Sequence, residues 1–300
     1  ELIDICHLRG ERQKLKFSKM QTCGNDYIFI DCTKDESMIK QPERLARIMS
    51  KRHFSVGSDG LVLILRSKTC DFKMRIFNSD GSEGSICGNA LRCVGKLVFE
   101  NRLTERKQLL IETKSGPRQV FLNVKGGKVI SVTVGMGKAE TDPIKLGMRS
   151  DTPKINAPIR IAGNEYRITA VSVGNSHQVI FLNDPDRLEL AKLGREFESN
   201  PLFFDRVNTE FVRVVKRNEL YMRVYERGSG ETYACGSGAC AAAFAAVLNG
   251  HCDFNLPIRV GLVGGFLEIT VKNDRQIIMT GPAERVYEGV FEYLEDEDIN

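Results

Sequence analysis

Residues 15–20 (Leu15-Lys16-Phe17-Ser18-Lys19-Met20) alternate apolar and polar side chains, the period of a half-buried strand. Gly24-Asn25-Asp26 is a turn signal, and Tyr27 to Ile30 is a short apolar strand after it. A helix is expected over 42–52: Pro42 suits its first turn, and Leu45, Ile48 and Met49 form one apolar face. Strands are expected over 60–65, 72–77, 109–113, 119–124, 129–134, 166–173 and 177–182. A helix over 186–197, capped by Asp186, comes next. Strands over 209–215, 220–225, 258–261, 265–271 and 276–280 complete the list. Many strands with few helices predict an α+β fold.

The pattern repeats. Met74-Arg75-Ile76-Phe77-Asn78 returns 148 residues later as Met222-Arg223-Val224-Tyr225-Glu226. Glu83 then Cys87-Gly88-Asn89 follows the first copy; Glu231 then Cys235-Gly236-Ser237 follows the second. Upstream, Gly24-Asn25 is echoed by Gly174-Asn175. Three signals in one order at nearly one spacing predict two similar lobes whose matched loops face each other across a cleft. The chain has 300 residues, room for two domains of ordinary size.

Composition narrows the class. With 42% apolar and 27% charged residues, the chain is a globular protein with a sizeable core. No window approaches the uninterrupted apolar run of a membrane span. Forty-three basic and 39 acidic residues are dispersed and leave only +4, which argues against a nucleic-acid partner. Nine cysteines is an odd number for a disulfide scaffold, and the first residues show no signal-peptide pattern. The expected setting is therefore reducing and cytoplasmic. Residues 1–14 are set aside as an extension or appended stretch.

An apolar helical pattern follows each matched cysteine, Ala90 to Phe99 after Cys87 and Ala239 to Leu248 after Cys235. Asn89 and Ser237 are residue types that cap helices. Each cysteine thus precedes a helix N-terminus, where unpaired N–H groups and the helix dipole favour an anion and lower a thiol pKa. A carboxylate between the two helix ends would meet N–H groups from both. Cys93 and Cys240 fall inside the helices and read as core. Their spacings from Cys87 and Cys235, and four scattered histidines, do not fit a zinc site. A redox disulfide between Cys87 and Cys235 is the stronger rival. Two opposed thiols over one anion site suit inversion at an amino-acid Cα: a thiolate removes the proton and the opposite thiol returns one. That chemistry needs no pyridoxal or metal, and the glycine fingerprints of nucleotide-binding folds are missing.

At these residues the sequence resembles the diaminopimelate epimerases. The resemblance spans most of 15–296. It rests on Lys19-Met20…Gly24-Asn25-Asp26, Asn78 to Glu83 with Cys87-Gly88-Asn89-Ala90-Leu91-Arg92-Cys93, and Val171 to His177. Tyr225-Glu226-Arg227-Gly228, Ala234 to Gly238 and Met279-Thr280-Gly281-Pro282 extend it. It implies Cys87 and Cys235 as the acid–base pair. The backbone of Gly88, Asn89, Gly236 and Ser237 would hold the reacting carboxylate. Asn25, Asn78, Asn175, Asn208 and Arg227 would hold the substrate's other polar groups, with His177 and Glu226 beside the cysteines. It implies a cofactor-independent homodimer that interconverts LL- and meso-diaminopimelate, a small-molecule amino-acid substrate. Its fold is two pseudo-symmetric lobes, each a curved mixed sheet around a central helix: 15–134 with 285–297, and 135–284. A last strand, around 285–293, would return to the first lobe.

Three places depart from the family pattern: Gln21-Thr22-Cys23 before Gly24, Gly60 where a glutamine is frequent, and Ser176 where proline is usual. They leave open an isomerase or racemase for another amino acid. A non-catalytic thiol-redox or metal-binding protein is the rival from another class. Without the resemblance, His177 is a structural histidine, Asn25 and Asn175 are turn residues, and Glu83 and Glu231 support loops.

Overall fold

The computed structural model describes residues 12–294; residues 1–11 of the expected extension and 295–297 of the expected first lobe lie outside it. The first half runs β1 (Arg12–Thr22), β2 (Asn25–Asp31), α1 (Pro42–Ser50), β3 (Gly60–Leu65), β4 (Phe72–Asn78) and β5 (Glu83–Gly84). It continues with α2 (Gly88–Glu100), β6 (Gln108–Glu112), β7 (Arg118–Lys125) and β8 (Lys128–Lys138). The second half runs β9 (Ala157–Ile161), β10 (Asn164–Ser172), β11 (Ser176–Phe181), α3 (Leu190–Glu198), β12 (Asn208–Lys216), β13 (Glu219–Glu226) and β14 (Gly230–Thr232). Then come α4 (Gly236–Leu248), β15 (Pro257–Leu262), β16 (Gly265–Val271), β17 (Gln276–Gly281) and β18 (Glu284–Leu294).

The strand pairings repeat step for step. β2 runs parallel to β3, then β3–β4 and β4–β5 are antiparallel. After α2, β6 returns parallel to β4, and β6–β7–β8 are antiparallel. β11 through β17 repeat this around α4. The halves join where β17 pairs antiparallel with β8. β9 flanks β10 as a hairpin, whereas β1 receives its outer strand from the far end of the chain, β18. The boundary expected after Val134 falls inside β8, and residues 12–14 belong to β1.

Burial explains the layers. β3 is apolar and buried throughout because both its faces are covered. Its Val62 and Ile64 join the core around α2, while Leu61, Leu63 and Leu65 join a separate cluster with Leu45 and Met49 of α1. α4 is buried along nearly its whole length, since its alanines present no polar face to water. Cys93 and Cys240 are core residues, as expected.

Two local expectations change. The helix expected over 186–197 is a 3-10 turn at Pro185–Arg187 followed by α3, because Leu188 is extended and breaks the run. Asp184 caps that turn; Asp186 accepts a hydrogen bond from Tyr221 Oη at 2.8 Å instead. The helix expected over 42–52 ends at Ser50, since Lys51 leaves helical geometry. No described helix is long and apolar enough to cross a membrane.

Candidate active site

Cys87 and Cys235 are themselves the N-caps of α2 and α4, in place of the expected Asn89 and Ser237. Each is extended, and each sulfur accepts the N–H of the third helical residue, in the first turn: Ala90 N at 3.5 Å and Gly238 N at 3.3 Å. The first helical N–H groups, Gly88 and Asn89 in one half and Gly236 and Ser237 in the other, have no acceptor within their helices. Both cysteines line one cavity of about 620 Å³ with Gly88, Asn89, Gly236 and Ser237. Met279 spans the two helix ends: a Cβ on Gly88 would lie 2.5 Å from its Cε, and one on Gly236 3.3 Å from its sulfur. Glycine at both positions lets the two backbones approach it without displacing its side chain.

The cavity also takes in Asn25, Asn78, Asn175, Glu226 and Arg227. An adjoining cleft of about 1150 Å³ shares Asn25, Asn78, Glu226 and Arg227 and carries the charged Lys19, Asp26, Arg52 and Asp59. Asn25 donates to Asp59 Oδ2 at 2.7 Å and accepts from Asn89 Nδ2 at 2.9 Å. Its Oδ1 lies 4.0 Å from the Cys87 sulfur. Arg227 is half-exposed and pairs with Asp205 at 2.8 Å, a solvent-facing contact that a carboxylate ligand can replace. Asn78 donates to Ser82 Oγ at 2.9 Å.

Two expected site residues sit behind the wall. Asn208 is buried; it donates to Ser176 O at 2.9 Å and accepts the Arg227 N–H at 2.9 Å, so it positions Arg227. His177 is fully buried, with Glu210 Oε1 2.7 Å from Nδ1 and Asn175 Oδ1 3.0 Å from Nε2. It therefore acts on Asn175 rather than standing in the cavity. Glu226 does line the cavity with Cys235, and the two bear on each other. Glu83 and Glu231 pair with the repeated arginines, Arg75 at 2.7 Å and Arg223 at 2.8 Å, and hold the loops, as expected.

Two polar neighbours of the thiols escape the sequence reading. Tyr27 lines the cavity with its hydroxyl 3.9 Å from the Cys87 sulfur. Its signal was the repeat itself, which sets Tyr27 against His177. Glu210 is a fully buried carboxylate with one oxygen unpartnered, legible only as a lone acid in the apolar run Phe211-Val212.

Electrostatics reverse one expectation. The place of Cys87 and Cys235 at helix N-termini predicts lowered thiols, yet both are raised, because burial outweighs the N–H groups. On Cys87 burial is opposed by Ala90 N–H and the Tyr27 hydroxyl. On Cys235 the push is stronger: the carboxylates of Glu226 and Glu210 add to burial. Those carboxyls are themselves raised, first by burial, and His177 opposes the rise in both.

The departures have local explanations. A Cβ at Gly60 would lie 2.2 Å from Phe77 O, so the backbone here suits glycine and leaves no room for the glutamine frequent in the family. Ser176 Oγ donates to Leu146 O at 2.9 Å, tying down the loop. Thr22 donates to Pro282 O at 2.9 Å. All eight described cysteines are free. Among the described residues, no three His, Cys, Asp or Glu side chains gather as a metal group.

The sequence model of the family described as diaminopimelate epimerase matches residues 17–141 and 169–286. A diaminopimelate epimerase of Acetivibrio thermocellus is 45% identical over 277 residues, 92% of this chain and 98% of that protein. One from Methanococcus maripaludis is 43% identical over 280 residues, 92% and 99% of the two chains. Among solved structures, a hydroxyproline epimerase from Agrobacterium vitis aligns with a TM-score of 0.68 at 12% identity, covering 95% of this chain and 93% of that one. A Bacillus anthracis phenazine biosynthesis protein of the PhzF family aligns at 0.66 and 16%, covering 94% and 99%. At such identities these two share the fold.

Proposed function

The chain belongs to the diaminopimelate epimerase family, and from that premise we propose that Cys87 and Cys235 exchange protons with opposite faces of one substrate Cα. The enzyme is an isomerase, interconverting LL-2,6-diaminopimelate and the meso isomer, a step in making lysine and peptidoglycan precursors. The observation that carries the mechanism is that equivalent cysteines, each capping a helix, line a single cavity.

A thiolate takes the Cα proton, and the C–H electron pair spreads into the carboxylate. N–H groups of Gly88, Asn89, Gly236 and Ser237 stabilise the charge that develops there. The opposite thiol gives its proton to the other face of Cα. The centre is inverted and the two sulfurs have exchanged protonation states, so the reverse reaction begins from the product state. No group outside the chain is called on. Glu226 bears on Cys235, and His177 holds Asn175 and Glu210. Asn25, Asn78, Asn175 and Arg227 receive the distal amino-acid end, with Asn208 positioning Arg227. Arg227 suits a carboxylate because its planar fork binds two oxygens.

Incubation with the LL isomer under reducing conditions, followed by stereoisomer analysis, tests the assignment. Conversion by the wild type, lost in Cys87→Ala and in Cys235→Ala, is the expected result. A relative acting on another amino acid is the second reading, and the fold shared with a hydroxyproline epimerase motivates it. Against it stands the polar far end of the cleft, with Arg227 and Asn78, which a small monocarboxylate would leave unused. A homodimer, a cytoplasmic setting and the division into two lobes rest on the family likeness and the repeat; sedimentation tests the first.

A further inference from the structure

Arg92 is a fully buried guanidinium on α2, and each of its partners among the described residues is neutral. It donates to Pro282 O at 3.1 Å, Gly88 O at 3.5 Å, Asn89 Oδ1 at 2.7 Å and Thr22 Oγ1, and it lies 3.4 Å from the Met279 sulfur. Arginine keeps its charge in proteins, and a buried charge normally comes with a counter-charge. Here three partners lead straight to the site. Gly88 and Asn89 are the first turn behind Cys87, and Met279 touches both helix ends.

We propose that Arg92 is the fixed cation of the anion site, a positioning residue whose missing counter-charge is supplied by a site thiolate and the bound carboxylate. The proposal rests on the two-thiol reading of the site and adds a charge that helix dipoles alone do not supply. Dipole ends amount to roughly half a charge each. A whole positive charge behind the α2 end stabilises the thiolate and the developing carbanion charge in a region short of water.

Other ionisable groups face these sulfurs and set the background. Cys93, Cys23 and Cys240 surround Arg92 from α2, the β1–β2 turn and α4. Glu284 of β18 bears on Cys23 and Cys93, and Gln21 Nε2 holds its carboxylate. Lys96 bears on Cys93. Tyr27 and Asn25 face Cys87 from β2, with Asp59 beyond them. Glu226 and Glu210 face Cys235 from β13 and β12, and His177 of β11 bears on both carboxylates.

The test reads the pH at which Cys87 and Cys235 are half-alkylated by iodoacetamide, measured on labelled peptides, alongside epimerase activity. Removing a cation makes a thiolate harder to form, so Arg92→Gln should move the Cys87 midpoint up by about one pH unit, with Cys235 as the internal reference. Arg92→Lys should stay near wild type. Thr22→Asp keeps the guanidinium but gives it a carboxylate partner, and should shift the Cys87 midpoint as Arg92→Gln does. Thr22→Asn, neutral and of the same shape, should leave it in place. If Arg92→Gln does not fold, the Thr22 pair decides. Equal Cys87 midpoints in Thr22→Asp, Thr22→Asn and wild type would overturn the proposal. Because alkylation needs no substrate, a wild type without epimerase activity would count against the function and leave this comparison intact.

Discussion

Tyr27 and His177 occupy the same place in the two halves: Tyr27 stands in register with Gly60 on a parallel strand, and His177 with Asn208. Asn78 and Glu226 end the next strand in each half. The cysteines are symmetric but their surroundings are not. Each sulfur meets a hydroxyl, Tyr27 at Cys87 and Ser237 at Cys235, but Cys87 also faces the Asn25 amide, whereas Cys235 faces carboxylates and, behind them, an imidazole.

That asymmetry orders the thiols. Burial raises both, and the Glu226 and Glu210 carboxylates raise Cys235 further. Cys87 should therefore alkylate at the lower pH in the ligand-free protein. Peptide-resolved alkylation against pH checks this; Cys235 reacting first would contradict it.

Glu226→Gln removes one of those carboxylates. The Cys235 midpoint should fall while that of Cys87 stays, and turnover should drop by about tenfold or more if the carboxylate assists proton transfer. Paired alkylation and rate profiles measure both.

Gly60→Ala forces a Cβ to 2.2 Å from a backbone carbonyl on β4. Strands β3 and β4 must part, at a cost of about 1–3 kcal/mol or more. Urea unfolding reads the loss, and Gly60→Gln should be worse, not better.

Asp26 is half-buried, which by itself would raise its carboxyl, but Arg52 and Lys19 outweigh burial and hold it below its usual value. A depressed acid stabilises the fold above its unfolded pKa of about 3.9, and the benefit is lost as pH falls through the folded value. Asp26→Asn should be less stable than wild type near neutral pH, and the gap should close in acid. A gap that ignores pH would contradict the pairing.

The strands legible in the sequence were those with enough residues to show a period. β3 was plain as an unbroken apolar run, and the helices after both cysteines were plain as apolar segments. Two-residue β5 and three-residue β14 are too short to carry a pattern; the pairing of β4 and β13 makes them. β9 mixes charged and apolar residues on an exposed hairpin and was missed. At the site, the repeat pointed to the cysteines and their glycines, since backbone chemistry needs those residues in those places. His177, Asn208, Glu210 and Arg92 were harder, because a polar residue in an apolar run looks alike whether it lines a cavity or stands behind its wall. The raised thiols are hidden from the sequence for a related reason: a helix end shows in sequence, but burial appears only once the chain is folded around it.

The central idea is that one carbon is held between two sulfurs carried by unlike halves of a doubled chain. Mass spectrometry of diaminopimelate recovered from heavy water tests it most directly. One deuterium at the inverted carbon is expected with wild-type enzyme, and none with Cys87→Ala joined to Cys235→Ala. Label and inversion persisting in that double variant would contradict it.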